Sequence, residues 1–298
     1  MSNKPYKGFE PKWLLTPAPA DSYRSIFRWG DPNFFKYPKE SLYTLMKETF
    51  KMTDDDFKEY SDDIGFDPVD LSDHPVQLAP EHIESLKKIV GERNVSTTDY
   101  DRLSVAYGFT AYDILRLRHK RVDSVPDVVL YPETTGQVEQ IVAYSTEHHI
   151  PLYVYGGGSS VTRGVEPVKG GISLDMRRNF NKVISFNEID QTITVQAGMS
   201  GPDLEKTLQS APELFDAKRQ YTCGHFPQSF EYSSVGGWTV TRGAGQNSTY
   251  YGTIADIVLS QKYATPIGTI QTSHYSREAT GPNLNQIMMG SELSLIHI

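Results

Sequence analysis

The stretch Pro151-Leu-Tyr-Val-Tyr-Gly-Gly-Gly-Ser-Ser160 runs a short β-prone segment directly into three consecutive glycines and two hydroxyl side chains. Glycine takes left-handed backbone without steric cost and lets another group come close, so successive N–H groups can line a concavity suited to a phosphate or pyrophosphate. An ordinary glycine-rich turn has the same composition. Two better-known phosphate loops do not match. A Walker loop closes on Lys and then Ser or Thr, whereas the chain continues Val161-Thr-Arg-Gly164. A Rossmann fingerprint needs a third glycine where Val161 stands and then a helix, but Gly164-Val-Glu-Pro-Val-Lys-Gly-Gly171 is studded with helix breakers. A dinucleotide bound here is therefore held by a different fold.

Upstream, Val125-Pro-Asp-Val-Val-Leu-Tyr131 reads as a strand, and Thr134 or Thr135 caps a helix bearing Val138, Ile141, Val142 and Tyr144. Strand, helix, strand and glycine loop in that order predict a parallel crossover unit. His148 and His149 point about 100° apart on a helix and read as a helix end rather than metal ligands. Downstream, Gly171–Asp175, Lys182–Phe186 and Thr192–Gln196 read as strands, and Ser200 caps a helix carrying Leu204 and Leu208. Residues 210–220 show no pattern and read as a surface loop. Between Gly224 and Gly245 lies a second region dense in glycine and hydroxyl residues, with Phe230, Tyr232, Val235 and Trp238. Such density suggests backbone packed against a flat polar ligand, or a tightly packed turn region. Ile254–Lys262 and Pro266–Gln271 read as two strands joined by a turn.

Residues 1–38 have no sustained period and read as an extended arm. Helices are expected over Lys39–Phe50, with Leu42, Leu45, Met46 and Phe50 on one face, over Pro80–Val90, and from near Thr110. Asp54-Asp-Asp56 lacks the alternation of a calcium loop and reads as a solvated turn or helix start. The basic cluster Arg116–Arg121 complements a helix C-terminus or binds an anion.

At 298 residues, with 22% charged and 38% apolar residues, the chain has ample length for a core. A net charge of −8 argues against nucleic-acid binding. One cysteine, Cys223, excludes an internal disulfide and a thiolate metal cluster, pointing to a reducing compartment and no metal site. No apolar run is long enough to span a membrane, and the N-terminus lacks a signal-peptide core. The expectation is a cytoplasmic protein, with peripheral membrane contact left open.

Several ordered motifs carry a family resemblance from about Asp101 to Glu292. They are Asp101-Arg102, Tyr107-Gly108, Val125–Leu130, Gly156–Ser160, Ser173-Leu-Asp175, Ala197-Gly198, Gly224-His225, Ser229–Trp238, Thr241-Arg242, Tyr251–Asp256, Arg277, Thr280-Gly-Pro282 and Gly290-Ser-Glu292. In these the chain resembles the FAD-binding domain of the vanillyl-alcohol oxidase and p-cresol methylhydroxylase (PCMH-type) family, and within it the alkyldihydroxyacetonephosphate synthases. Trp29-Gly-Asp-Pro32 is similar to an element near the start of those synthases.

The resemblance implies an α+β fold of two α+β subdomains with FAD between them, preceded by a partly helical arm. The implied boundaries are an arm over 1–122, the FAD-binding domain over 123–292 and a non-native tail over 293–298. Carried over by position, Gly156, Gly157, Gly158, Ser159 and Ser160 hold the pyrophosphate. Gln228, Ser229, Tyr232, Ser233 and Ser234, then Thr241, Arg242, Gly243 and Ala244, and Glu292, line the rest of the cofactor. Covalent relatives often carry a histidine where Ser159 stands, so FAD is expected without a covalent bond; His225 reads as positional.

The implied reaction exchanges the acyl chain of acyl-dihydroxyacetone phosphate for a fatty alcohol, the flavin acting as electron sink with no net redox change. That implies a lipid-phosphate substrate, leaves a homodimer open, and places the protein in peroxisomes if its host is a eukaryote. The alternatives are an FAD-dependent 2-hydroxy acid dehydrogenase and a non-catalytic flavin-binding module. Gln246-Asn-Ser-Thr249 stands where the synthases have paired lysines, and Leu293-Ser-Leu-Ile-His-Ile298 departs from the family run after Glu292. The expectation is a truncated chain whose substrate cap and catalytic tyrosine and histidines lie beyond it, so no catalytic residue is named.

Overall fold

The computed structural model describes residues 16–26, 39–58, 63, 65–272, 275 and 279–291. Trp29-Gly-Asp-Pro32, Arg277, Glu292 and the tail from Leu293 lie outside the described residues. The chain divides into one compact unit of residues 1–70 with 114–122, and a second of 71–113 with 123–298. The first contains α1 (Tyr23–Ile26) and α2 (Glu40–Phe50), and Lys120 pairs with Asp63 at 2.9 Å and with Asp67. The apolar stripe of α2 has the expected period, yet none of that helix is buried and Leu42, Leu45 and Phe50 are exposed.

The second unit is built from residues 71–113 and 123–298. It contains α3 (Pro80–Val90), β1 (Val95–Ser96) and α4 (Asp99–Ser104), capped by the Thr98 hydroxyl, which accepts from the Asp101 amide. After α5 (Ala111–Arg118) come β2 (Val128–Leu130), α6 (Thr135–Glu147), β3 (Leu152–Tyr155) and β4 (Ile172–Asp175). The sheet order is β1-β2-β4-β3, with β1 antiparallel to β2 and the rest parallel. The crossover unit is therefore present, with β4 inserted between its two strands.

Every residue of β2 and β4 is buried because both sheet faces are covered. On one face Val128, Leu130, Ile172 and Leu174 pack with Leu86 and Val90 of α3 and Ile141 of α6. On the other Val129, Tyr131 and Tyr155 pack with Val105 and Val165.

A second α+β layer follows. The ribbon of β5 (Val183–Asn187) and β6 (Thr192–Val195) precedes α7 (Gly201–Gln209), whose N-cap Ser200 accepts from the Asp203 amide as expected. Residues 210–220, read as loop, contain α8 (Ala211–Phe215), which Pro212 at its first turn permits. The second glycine-rich region holds α9 (Val235–Thr241), and after α10 (Ser248–Tyr251) comes α11 (Ile254–Ile257). The strand expected from Ile254 is thus helical at its start, because Thr253 and Asp256 form a reciprocal capping box. A hairpin of β7 (Lys262–Thr265) and β8 (Gly268–Gln271), then α12 (Leu284–Met288), complete the described chain. This core joins Met199, Leu204 and Leu208 to Trp238 and Ile254, with Val183, Phe186, Ile193 and Val195 of the ribbon packed against it. The two α+β subdomains expected from the sequence are these two layers.

Candidate functional site

Parallel strands leave their carboxyl ends pointing the same way, and the first glycine loop emerges there directly from β3, at the edge where open α/β sheets receive ligands. Gly158 has φ +73°, a left-handed conformation, and a side chain on it would strike the Tyr155 hydroxyl. A Cβ on Gly157 would collide with the Tyr232 carbonyl, and one on Gly156 with the Ser234 hydroxyl. The two glycine-rich regions, more than seventy residues apart in sequence, are therefore pressed together, and the glycines are what permits the contact. Gly108 serves the loop from beneath: the Phe109 amide donates to the Ser160 carbonyl at 2.8 Å, leaving no room for a Cβ on Gly108.

The backbone N–H groups of Gly157, Gly158 and Ser159 donate to no described residue. Three successive unengaged amides in a turn with a left-handed residue are the donor set of an anion nest. Positive side chains stand at the same end of the sheet. Arg177 grips Asp175 through Nε at 2.9 Å and through Nη2, with its guanidinium 4.7 Å over the Tyr155 ring. Arg178 lies 4.6 Å over the Tyr131 ring. Burial, with lesser help from Asp101 and Asp175, holds the Tyr131 phenol well above its ordinary range, so it stays protonated. The residues present fit a pyrophosphate.

The second region is locked by its own hydroxyls. The Ser233 hydroxyl donates to the Ser229 carbonyl at 2.7 Å and accepts from the Trp238 indole N–H at 2.6 Å. The Ser234 hydroxyl caps α9 by accepting from the Gly237 amide. Both serines are buried, Tyr232 and Ser229 half-buried, and Gln228 exposed. Thr241 donates its hydroxyl to the Gly237 carbonyl at 2.8 Å inside the helix. Arg242, left-handed at φ 55°, ends α9 and sends Nη2 to the backbone and side-chain oxygens of Gln286, both at 2.8 Å. Gly243 and Ala244 follow, the first half-buried and the second exposed.

The structure thus brings the loop 156–160 together with Tyr232, Ser233 and Ser234. Thr241 and Arg242 are engaged with helices, and Glu292 lies outside the described residues. Reading the sequence alone did not find Tyr155 and Arg177 beside the loop, or Arg178 over Tyr131 at the same end of the sheet. Their signal was position, since residues just after two adjacent parallel strands share one edge.

Residues 126–273 match the FAD binding domain family. The alkyldihydroxyacetonephosphate synthase of Dictyostelium discoideum is 32% identical over 224 residues, which are 74% of this chain and 35% of that protein. The mitochondrial D-lactate dehydrogenase [cytochrome] 1 of Saccharomyces cerevisiae is 28% identical over 235 residues, 78% of this chain and 38% of that protein. Among solved structures, one titled alkyldihydroxyacetonephosphate synthase superposes with a TM-score of 0.67 at 30% identity, over 73% of this chain and 38% of the other. The chain spans well under half the length of these relatives.

Proposed function

We propose that this chain, which belongs to the FAD binding domain family, serves an ether-lipid synthase reaction: exchange of the acyl chain of acyl-dihydroxyacetone phosphate for a fatty alcohol. The observation that carries the reading is 32% identity to an alkyldihydroxyacetonephosphate synthase over 74% of this chain. Bound FAD supplies a ring that accepts electrons from carbon. The amides of Gly157, Gly158 and Ser159 offset the pyrophosphate charge, and Arg177 and Arg178 add positive potential beside them. Ser233 and Ser234, fixed by Trp238 and α9, keep the second region seated on the loop. Ser159 in the loop provides no imidazole for a covalent link, so the cofactor is expected to be held at this loop without one.

One observation favours a second reading, oxidation of a 2-hydroxy acid: the similarity to a D-lactate dehydrogenase. Absorbance of the FAD-loaded protein without an external electron acceptor separates the two. Bleaching on adding acyl-dihydroxyacetone phosphate supports the synthase; bleaching only with lactate or glycolate moves the assignment to the dehydrogenase.

A further inference from the structure

The seam between the two α+β layers carries a polar network. At the exit of β2 the Tyr131 amide donates to the Asn94 carbonyl at 2.9 Å. The buried Asn94 side chain donates through Nδ2 to the Val90 carbonyl at 2.8 Å and to Glu133 Oε1 at 3.0 Å. Asn179, on the segment after β4, donates through its own Nδ2 to Asn94 Oδ1 at 3.1 Å and to the Tyr131 carbonyl at 3.2 Å. Gln196, buried directly after β6, crosses to the first layer: its Nε2 donates to the Glu133 carbonyl at 3.3 Å, while its Oε1 accepts from the Lys182 amide at 2.9 Å beside its own ribbon. Burying an amide costs free energy unless it finds partners, and Asn94 and Gln196 each engage both ends of theirs. Such a network adds direction to the seam, because a hydrogen bond fixes a separation that apolar surfaces leave free to slide.

Both bridges lead to the candidate site. Ala197, next to Gln196, accepts the Gly236 amide on its carbonyl at 2.8 Å, and a side chain on Gly236 would collide with the Ala197 Cβ. Met199 accepts the Val235 amide at 2.9 Å. The start of α9 is therefore held by the exit of β6, and its N-cap Ser234 is the residue pressed against Gly156. Asn179 follows Arg177 and Arg178 in the chain and ties their segment to the end of β2. Sliding one layer against the other would move α9 off the glycine loop.

We propose that Asn179 and Gln196 are positioning residues for the flavin: acting through the glycine loop and α9 rather than by contact, their amides set the separation of the layers at which those two elements together receive FAD. This rests on the FAD-binding reading of the domain.

The test uses the full chain, freed of flavin and titrated with FAD by flavin fluorescence, with thermal unfolding of the flavin-free forms and visible circular dichroism of the saturated ones. Gln196→Glu keeps the acceptor for the Lys182 amide and loses the donor that crosses to Glu133; Asn179→Asp loses both donors to the end of β2. Each should weaken FAD binding by roughly tenfold and alter the flavin dichroism at saturation. Asn179→Asp, at a half-buried position, decides the matter if Gln196→Glu does not fold. Thr98→Ala is the control, since it removes the cap of α4 and touches none of these groups; its FAD affinity and dichroism should match the unmodified protein. Affinity and dichroism unchanged in the seam variants would overturn the proposal, and so would losses no larger than those of Thr98→Ala at an equal fall in Tm, the mark of a merely structural role. Failure of the unmodified chain to take up FAD would instead remove the cofactor reading itself, and the proposal with it.

Discussion

At the scale of single residues, most of the loop's chemistry is steric. Gly157 is the most demanding position, because Tyr232 and Ser233 backbone occupies the place of its side chain. Gly157→Ala is expected to destabilise the protein by roughly 1–3 kcal/mol through overpacking and to abolish FAD retention, measured by chemical denaturation and flavin titration. His225 gives a pH prediction. Its folded-state pKa lies below the ordinary 6.5, so the unfolded chain binds the extra proton first. Stability of the flavin-free protein is then complete above about pH 6.5 and falls as pH drops below it, by at most about 1.4 kcal/mol per pH unit. His225→Phe should flatten that limb of the denaturation profile. The glycines were legible as a phosphate-type loop from their run alone. That each also makes room for the second region was not, because the contact joins residues far apart in sequence.

At the scale of elements, local signals were read correctly where they were strong. α3 begins at Pro80 and ends before Gly91 as its apolar period and stop residue predict, and Thr134 caps α6 in a full capping box with Gln137. α9 escaped because Val-Gly-Gly-Trp-Thr-Val-Thr is poor helix sequence; burial of Trp238 and the Ser234 cap override its propensity. These two caps form a matched pair. Thr134→Ala and Ser234→Ala should each cost roughly 1 kcal/mol by denaturation. Only Ser234→Ala should also weaken FAD binding, because its hydroxyl fills the space that Gly156 leaves. Equal FAD affinities in the two variants would show that the α9 cap has no part in the site. The strand expected from Ile254 failed for a related reason: its apolar composition suits either structure, and the Thr253–Asp256 box decided for helix.

At the scale of the whole molecule, the parallel crossover was legible from alternating short strands and helices, and the family, with the two α+β subdomains it implies, from many motifs in order. The strand β1 was not legible, since it contributes only Val95 and Ser96 to the sheet and so short a strand leaves no period to read. The stripe on α2 shows the limit plainly: period reveals an amphipathic helix but not what, if anything, covers it. Because the nest and the serines belong to one compact unit, FAD at a hundredfold its Kd should raise stability by about 2.7 kcal/mol, read as an upward shift in Tm that Gly157→Ala abolishes.

The central claim is that this chain holds FAD without a covalent bond, and the most direct measurement is the visible absorbance of the purified protein before and after acid precipitation. The account predicts flavin bands in the native sample that pass entirely into the supernatant. Flavin retained in the pellet would contradict non-covalent binding through the Gly156–Ser160 loop, and a protein that neither carries nor takes up FAD would contradict the site itself.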